Sequence, residues 1–360
     1  MKIHATFLNL PPKSRKPARD AFARSMAAMD FLDSKLGSLY LEGRLTRKSK
    51  KFLTAIRSPS ALGSGFPLSS LAVREATAQA AIEVMLLTAG RNRDLREGQK
   101  RLRLLTIKSN VGLVDIANPY FPAEQVKLHA RRLLSSHELE AFCVLDHNLF
   151  SPGRGEAETI VHTHVHAVIS LLEPSRSHGE WLEALTPKSE PLNLLGDGVI
   201  NISSRGNRDR PKLSRADVAG LGWYVTKETC GANTVYQRRN GQKSESSFSD
   251  WSYAGVLRQL ELWSYIDFRQ ACWSQGETMG KARTDYRRRT FELLDYYDLP
   301  KRSVIDTDRL YDGWTRVWSE FANGFIPIDP STITASSPKS VTPPPWRPVA
   351  MSVLARPKTP

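Results

Sequence analysis

One run, TIVHTHVHAVISLL from Thr159 to Leu172, limits the fold more than any other part of the chain. Val, Ile and Thr dominate it. Such side chains are stiff at χ1 and suit a pleated surface better than a helix. In a strand, alternate side chains share a face. His162, His164 and His166 therefore point one way. Val161, Val165, Ala167 and Ile169 point the other way, into a core. The upstream run AFCVLDHNL, Ala141 to Leu149, also reads as a strand. Only a Gly-containing connection, Ser151 to Glu158, separates the two. Neighbouring strands joined so briefly pair antiparallel.

The chain has eight histidines, so three at alternate positions of one strand is a concentration that needs a reason. A polar edge facing solvent is the plainer explanation. A metal site is the sharper one, because two imidazoles two residues apart on a strand can reach one cation. His164 and His166 are the candidate ligands. The cysteines, Cys143, Cys230 and Cys272, are odd in number and lack CxxC spacing, which argues against a disulfide framework and a closed zinc site. An imidazole pair with a carboxylate suits an open site for Mg²⁺ or Mn²⁺. Asp146 shares a strand face with Phe142, Val144 and Asn148, so strand pairing would bring it beside the histidines. Glu156 and Glu158 on the connection are alternative carboxylates. His147 faces away from Asp146 and is not favoured as a ligand.

A second chemical feature follows in LGWYVTKE, Leu221 to Glu228. Ser214 and Asp217 have the spacing of a capping box, with Asp in place of the usual Glu. The helix they begin would bury Val218, Leu221 and Val225. Tyr224 and Lys227 are three apart and so neighbours on one flank. A free phenol ionises near ~10 and is a poor nucleophile at neutral pH. An ammonium beside a phenol favours the phenolate and also stabilises charge on a phosphate. Taken alone, the pair is better explained as a boundary tyrosine beside a surface lysine.

The remaining segments divide by composition. Residues 1–100 read as helical and basic, with Phe22, Met26, Met29 and Leu32 at helical spacing, the run RKSKK, and a second helix over Ser70–Leu87. A Ser-, Gly- and Pro-rich loop, Ser58–Ser70, lies between them. Residues 101–249 hold a strand, LRLLTI, then a helix opened by Pro122 at its first position, then the features above. A basic run, Arg205–Lys212, precedes the tyrosine helix. Residues 250–326 are aromatic and helical, with Trp251, Tyr253, Leu257, Leu260 and Trp263 spaced for core packing. Residues 327–360 are rich in Pro, Ser and Thr and read as a disordered tail. Gly276–Lys281, GETMGK, is one residue short of a phosphate loop and lacks Ser or Thr after the lysine, so it reads as a turn between helices.

Lys and Arg total 51 against 37 Asp and Glu, a net charge of +14. Such a surface suits a polyanionic partner, nucleic acid first. No window has the length and apolarity of a signal peptide or a membrane span, so a soluble cytoplasmic protein with no membrane partner is expected.

In order, LRLLTI, HTHVH and WYVTK resemble the three motifs of the HUH endonuclease superfamily, in particular the rolling-circle replication initiators of plasmids and phages. The likeness covers about residues 101–230. Leu104–Ile107 matches the first motif, an apolar strand with Thr. His164–Val165–His166 matches the second, with His162 as a frequent extra histidine. Tyr224 and Lys227 match the Tyr-x-x-Lys of the third. The resemblance implies an α+β fold of the ferredoxin/RRM-like kind: a central antiparallel sheet flanked by helices, the histidines on its middle strand, with helical N- and C-terminal additions. It implies that Mg²⁺ or Mn²⁺ is held by His164, His166 and Asp146. It implies that Tyr224 attacks the scissile phosphate, leaving a 3′-hydroxyl and a 5′-phosphotyrosine, with Lys227 stabilising charge or positioning the metal. The implied partners are DNA, as an origin hairpin or a single-stranded nick site, and a host helicase. Two features depart from the pattern. Asp146 stands where related initiators usually carry Glu, and Tyr224 has no Tyr-x-x-x-Tyr partner, Tyr236 being read as structural. A relaxase or transposase of the same superfamily, or a non-catalytic basic DNA-binding regulator, are the competing readings.

Overall fold

The two apolar runs pair as their alternation requires, in one sheet whose strands lie between Leu102 and Gln275. The structure, a computed structural model, describes residues 7–58, 65–90, 102–151, 159–171, 178–189, 198–203, 213–227, 232–237, 243–249, 252–295, 305–321 and 325–334. Its strands are β1 (Leu102–Ile107), β2 (Leu113–Asp115), β3 (Glu140–Ser151), β4 (Ile160–Ser170), β5 (Ile200–Ser203), β6 (Ala232–Gln237), β7 (Lys243–Ser249) and β8 (Cys272–Gln275). The order is β5-β1-β4-β3-β6-β7, with β2 also on β4 and β8 also on β3. Every pairing is antiparallel except a short parallel contact of β3 with β6. The histidine strand β4 is interior, with β3 on one side and β1 and β2 on the other. In the β3–β4 register Asp146 lies opposite His164, Val144 opposite His166 and Asn148 opposite His162.

The helices that matter for the site are α1 (Pro12–Leu41), α2 (Arg47–Arg57), α3 (Leu71–Gly90), α4 (Ala123–Ser136), α5 (Arg215–Thr226), α6 (Tyr253–Ser264), α7 (Glu277–Leu294), α8 (Thr307–Phe321) and the short α9 (Ser331–Thr334). Helix α5 starts at the expected capping box. The Ser214 hydroxyl accepts the Asp217 N–H, and the Asp217 carboxylate accepts the Ser214 N–H. Val218, Leu221 and Val225 are buried as the stripe requires. On the face toward α3, Gly222 lies so close that an added Cβ would sit 2.6 Å from Ile82 Cα and 2.7 Å from the Ala81 carbonyl oxygen. Both neighbours are backbone, so nothing flexible can yield.

Helix α3 is buried on almost every side, and its alanines let neighbours come close. Two of its buried charged groups, Glu83 and Arg74, have partners that offset their burial. Arg289 of α7 grips Glu83 through two nitrogens, at 2.7 and 3.2 Å. The Arg74 guanidinium lies 3.8 Å over the Trp263 ring and donates from Nε to the Leu68 carbonyl. The result is a rigid post between α5 and α7. Helix α7 also reaches the sheet, where Tyr286 meets Phe142 edge to face at 5.4 Å.

The terminal helices share one apolar cluster with the sheet, running from Phe7 to Ile333. Some local expectations change. The aromatic helical region also contributes β8 to the sheet. Pro122 caps α4 from outside, and the helix begins at Ala123. GETMGK is not a turn between helices: Gly276, at φ 79°, caps α7 and the rest is its first turns. The disordered tail expected from Pro327 fails at its start. Ile328 and Ile333 are buried, and the Ile328 N–H donates to Glu261 at 2.7 Å. Leu257, Leu260 and Trp263 are core residues, as their spacing requires. Trp251, residues 59–64 of the loop after Ser58, residues 205–212 and 335–360 lie outside the described residues. Among the described residues no helix is long and apolar enough to cross a membrane.

Replacing Gly222 with Ala should cost on the order of 1–3 kcal/mol, because the added methyl meets rigid backbone. Urea unfolding of Gly222→Ala against the parent chain, followed by circular dichroism, measures this. An unchanged midpoint would mean that α3 and α5 can move apart freely.

Candidate metal centre

Strand alternation and register bring three ligand atoms together. His164 Nε2 and His166 Nε2 are 3.1 Å apart. His166 Nε2 and Asp146 Oδ2 are also 3.1 Å apart, and His164 Nε2 and Asp146 Oδ2 are 3.7 Å apart. All three residues are buried, and this cluster could hold a metal ion. Adjacent ligands of a cation bound at about 2.1 Å stand roughly 3.0–3.4 Å from one another; two of the three edges lie in that range and the third is a few tenths of an ångström longer, so one ion can cap the three atoms. Asp146 Oδ1 points to the same need, being buried without a hydrogen-bond partner.

The surroundings set which nitrogens can bind. His164 Nδ1 lies 3.1 Å from the His162 carbonyl oxygen. A carbonyl only accepts, so Nδ1 carries the proton and Nε2 keeps its lone pair. His166 Nδ1 lies 3.1 Å from the Thr106 hydroxyl. A hydroxyl both donates and accepts. It therefore supports the form with the proton on His166 Nε2, facing Asp146, and the form with Nε2 free to bind a cation. Outer contacts of this kind commonly orient metal-binding histidines.

Charge favours the same picture. Burial holds His164 well below the usual histidine range, and the neighbouring His166 adds to this. Burial also lowers His166, against the hydrogen bond and charge of Asp146. Both rings are therefore neutral, the form that binds metals. Burial alone would raise the Asp146 carboxyl. The hydrogen bond from His166 and the positive charge of Lys227 act against burial and hold the group below the usual carboxylate range. Two neutral imidazoles and one carboxylate result.

Tyr224 stands next to this cluster. Its ring meets the His166 ring at 4.7 Å between centroids, 70° apart. Lys227 is not on the helix flank as expected. It caps α5 just past Thr226, with ψ 142°. From there its Nζ folds back to 4.2 Å from the centre of the Tyr224 ring. The pairing holds, through a different backbone geometry.

Other histidines stay outside. His147, on the opposite sheet face, stacks on Trp263 at 3.9 Å, and burial pushes it down to about 3. His162 Nε2 donates to the Ser109 carbonyl at 3.3 Å, and burial pushes that ring down to about 3 as well. Glu156 and Glu158 lie outside the described residues; of Tyr236 only the backbone is described, in β6 opposite Ser244. Three nearby residues carry no role in the sequence reading. Thr106 is opposite His166 in β1, and the hydroxyl in LRLLTI was its only sign. Lys108 follows β1. Exposed Arg24 of α1 lies 4.8 Å over the ring of Trp223, next to Tyr224 in the chain.

No protein-family model matches the chain, and no curated protein or solved structure is similar to it at a significant level.

Calorimetric titration with Mn²⁺ should detect binding that is lost in His164→Ala, His166→Ala and Asp146→Asn. Thr106→Val should weaken it about tenfold or more, and Thr106→Ser should restore it. Full binding in any of the three ligand variants would break the assignment. A second expectation concerns pH. Folded His147 takes up a proton less readily than the unfolded chain, whose ordinary value is 6.5. Its stabilising share is therefore whole above about 6.5 and is lost as pH falls toward about 3. Urea unfolding at pH 7 and pH 5 should show lower stability at pH 5, with a shallower slope in His147→Phe. An equal slope in that variant would assign the acid sensitivity elsewhere.

Proposed function

We propose that the chain is an HUH-type nicking and joining enzyme that cuts single-stranded DNA and starts rolling-circle plasmid replication. One observation carries this reading: a tyrosine on a later helix packs its ring against a ligand of a buried two-histidine, one-carboxylate cluster. Hard oxygen and imidazole donors with no thiolate suit Mg²⁺ or Mn²⁺, which would act as a Lewis acid on a phosphate oxygen. Asp146, His164 and His166 would hold that ion. The same donor set also serves open iron(II) sites. The ammonium of Lys227 beside Tyr224 favours an anionic substrate over that alternative.

Tyr224 supplies the nucleophile. Its phenolic oxygen attacks the phosphorus in line and loses its proton. The Oη–P bond forms as the P–O3′ bond breaks, and O3′ gains a proton. One phosphodiester is exchanged for another, so the step runs in both directions and allows rejoining. Lys227 stabilises the extra negative charge at the phosphorus oxygens. A net charge of +14 suits a DNA partner, and Arg24 adds positive charge beside the tyrosine helix. A relaxase or transposase would use the same chemistry. A regulator that only binds DNA would have no use for the buried cluster. A host helicase would open the duplex.

The test is a supercoiled plasmid or a single-stranded DNA library, incubated with Mn²⁺ and resolved in denaturing gels. The parent chain should form a covalent protein–DNA adduct, absent without the cation. Tyr224→Phe should form none while still binding DNA. An adduct that persists in Tyr224→Phe would move the nucleophile elsewhere.

A further inference from the structure

We infer that Lys108 and Lys227 form a two-cation cradle for the scissile phosphate, one on each side of the Asp146–His164–His166 cluster. This rests on the nicking reading above and adds a residue to it. The backbone stays extended beyond β1, because the Lys108 N–H donates to the Val199 carbonyl at 2.7 Å and so continues the pairing of β1 with β5. Lys108 therefore lies two residues past Thr106 on the same face. That face is the one on which the Thr106 hydroxyl touches His166. Thr106 lies opposite His166, so the next same-face position along β1 runs toward His164.

On the other side, the Lys227 Nζ lies 4.2 Å from the centre of the Tyr224 ring, which itself packs against His166. Both lysines are half-buried, so their charges are less screened than those on an open surface. Two ammonium groups flanking a cluster that takes a divalent cation oppose that cation. The arrangement becomes favourable when an anion lies among the three positive charges. A phosphodiester fits, and neutral or cationic substrates do not. Lys227 enters from the tyrosine side, and Lys108 from the β1 side, next to His164.

Mn²⁺ calorimetry and adduct kinetics at saturating Mn²⁺, on Lys108→Gln and Lys108→Arg, test this. Removing the charge in Lys108→Gln should tighten Mn²⁺ binding about threefold, because a repulsion is lost. The same change should slow adduct formation about tenfold or more, because the phosphate loses a cation. Lys108→Arg should stay near the parent chain in both. These opposite signs separate a phosphate contact from a structural prop. Weaker Mn²⁺ binding in Lys108→Gln would make the residue a support for the strand, and an unchanged adduct rate would remove it from the phosphate; either overturns the cradle. A parent chain that forms no adduct would instead overturn the nicking reading, and the cradle with it.

Discussion

The candidate centre depends on the antiparallel register between β3 and β4. Asp146 faces the histidines only because it lies opposite His164. A slip of one residue would turn every side chain of a strand to the other face of the sheet. The carboxylate would then be replaced by Leu145 or His147. What prevents the slip is apolar packing on the reverse face. Cys143, Leu145, Leu149, Val161, Val165, Ala167 and Ile169 are all buried there. The metal-binding face is thus specified by the side chains that take no part in it.

The tyrosine is placed by a separate device of the same kind. Helix α5 crosses the sheet face, and its height is set by the backbone contact at Gly222. Behind that contact, α3 is held by the Glu83–Arg289 pair and by Arg74 over Trp263. Well-packed interiors transmit small displacements. A shift of α5 away from α3 would therefore carry Tyr224 toward or away from His166. The N-terminal region, which shows no chemistry in its sequence, acts on the site by fixing this distance.

Periodicity explains which parts were legible. The fold class, the two site strands and the capping box are local patterns of period two or of fixed spacing. His164, His166 and Asp146 meet because of one such pattern and the pairing it implies. Features that depend on contacts between distant segments carry no such mark. Strand β8 is only four residues, CWSQ, inside a helical stretch, and exists because β3 offers it an edge. Ile328 and Ile333 sit in a Pro- and Thr-rich segment whose composition resembles a tail, yet Glu261 and the core hold it. Lys227 was expected on the helix flank, but it caps α5 one residue past the helix, where helical geometry no longer binds the backbone.

The short carboxylate also has a geometric account. Directly opposite residues on neighbouring strands have Cβ atoms about 4.5–5.5 Å apart, and diagonal ones about 7–8 Å or somewhat less. Asp146 is opposite His164 but its Oδ2 lies closer to the diagonal His166, at 3.1 Å against 3.7 Å. The side chain leans along the strand and reaches both Nε2 atoms from the sheet itself. A carboxylate presented from more distant backbone would need the extra methylene of Glu. Here the ligands come from adjacent positions of two paired strands, so Asp spans the gap with one fewer rotatable bond to order. Less side-chain entropy is lost on fixing it. The stiffer arm keeps the carboxylate beside the imidazoles, where its unpartnered Oδ1 is available to a cation.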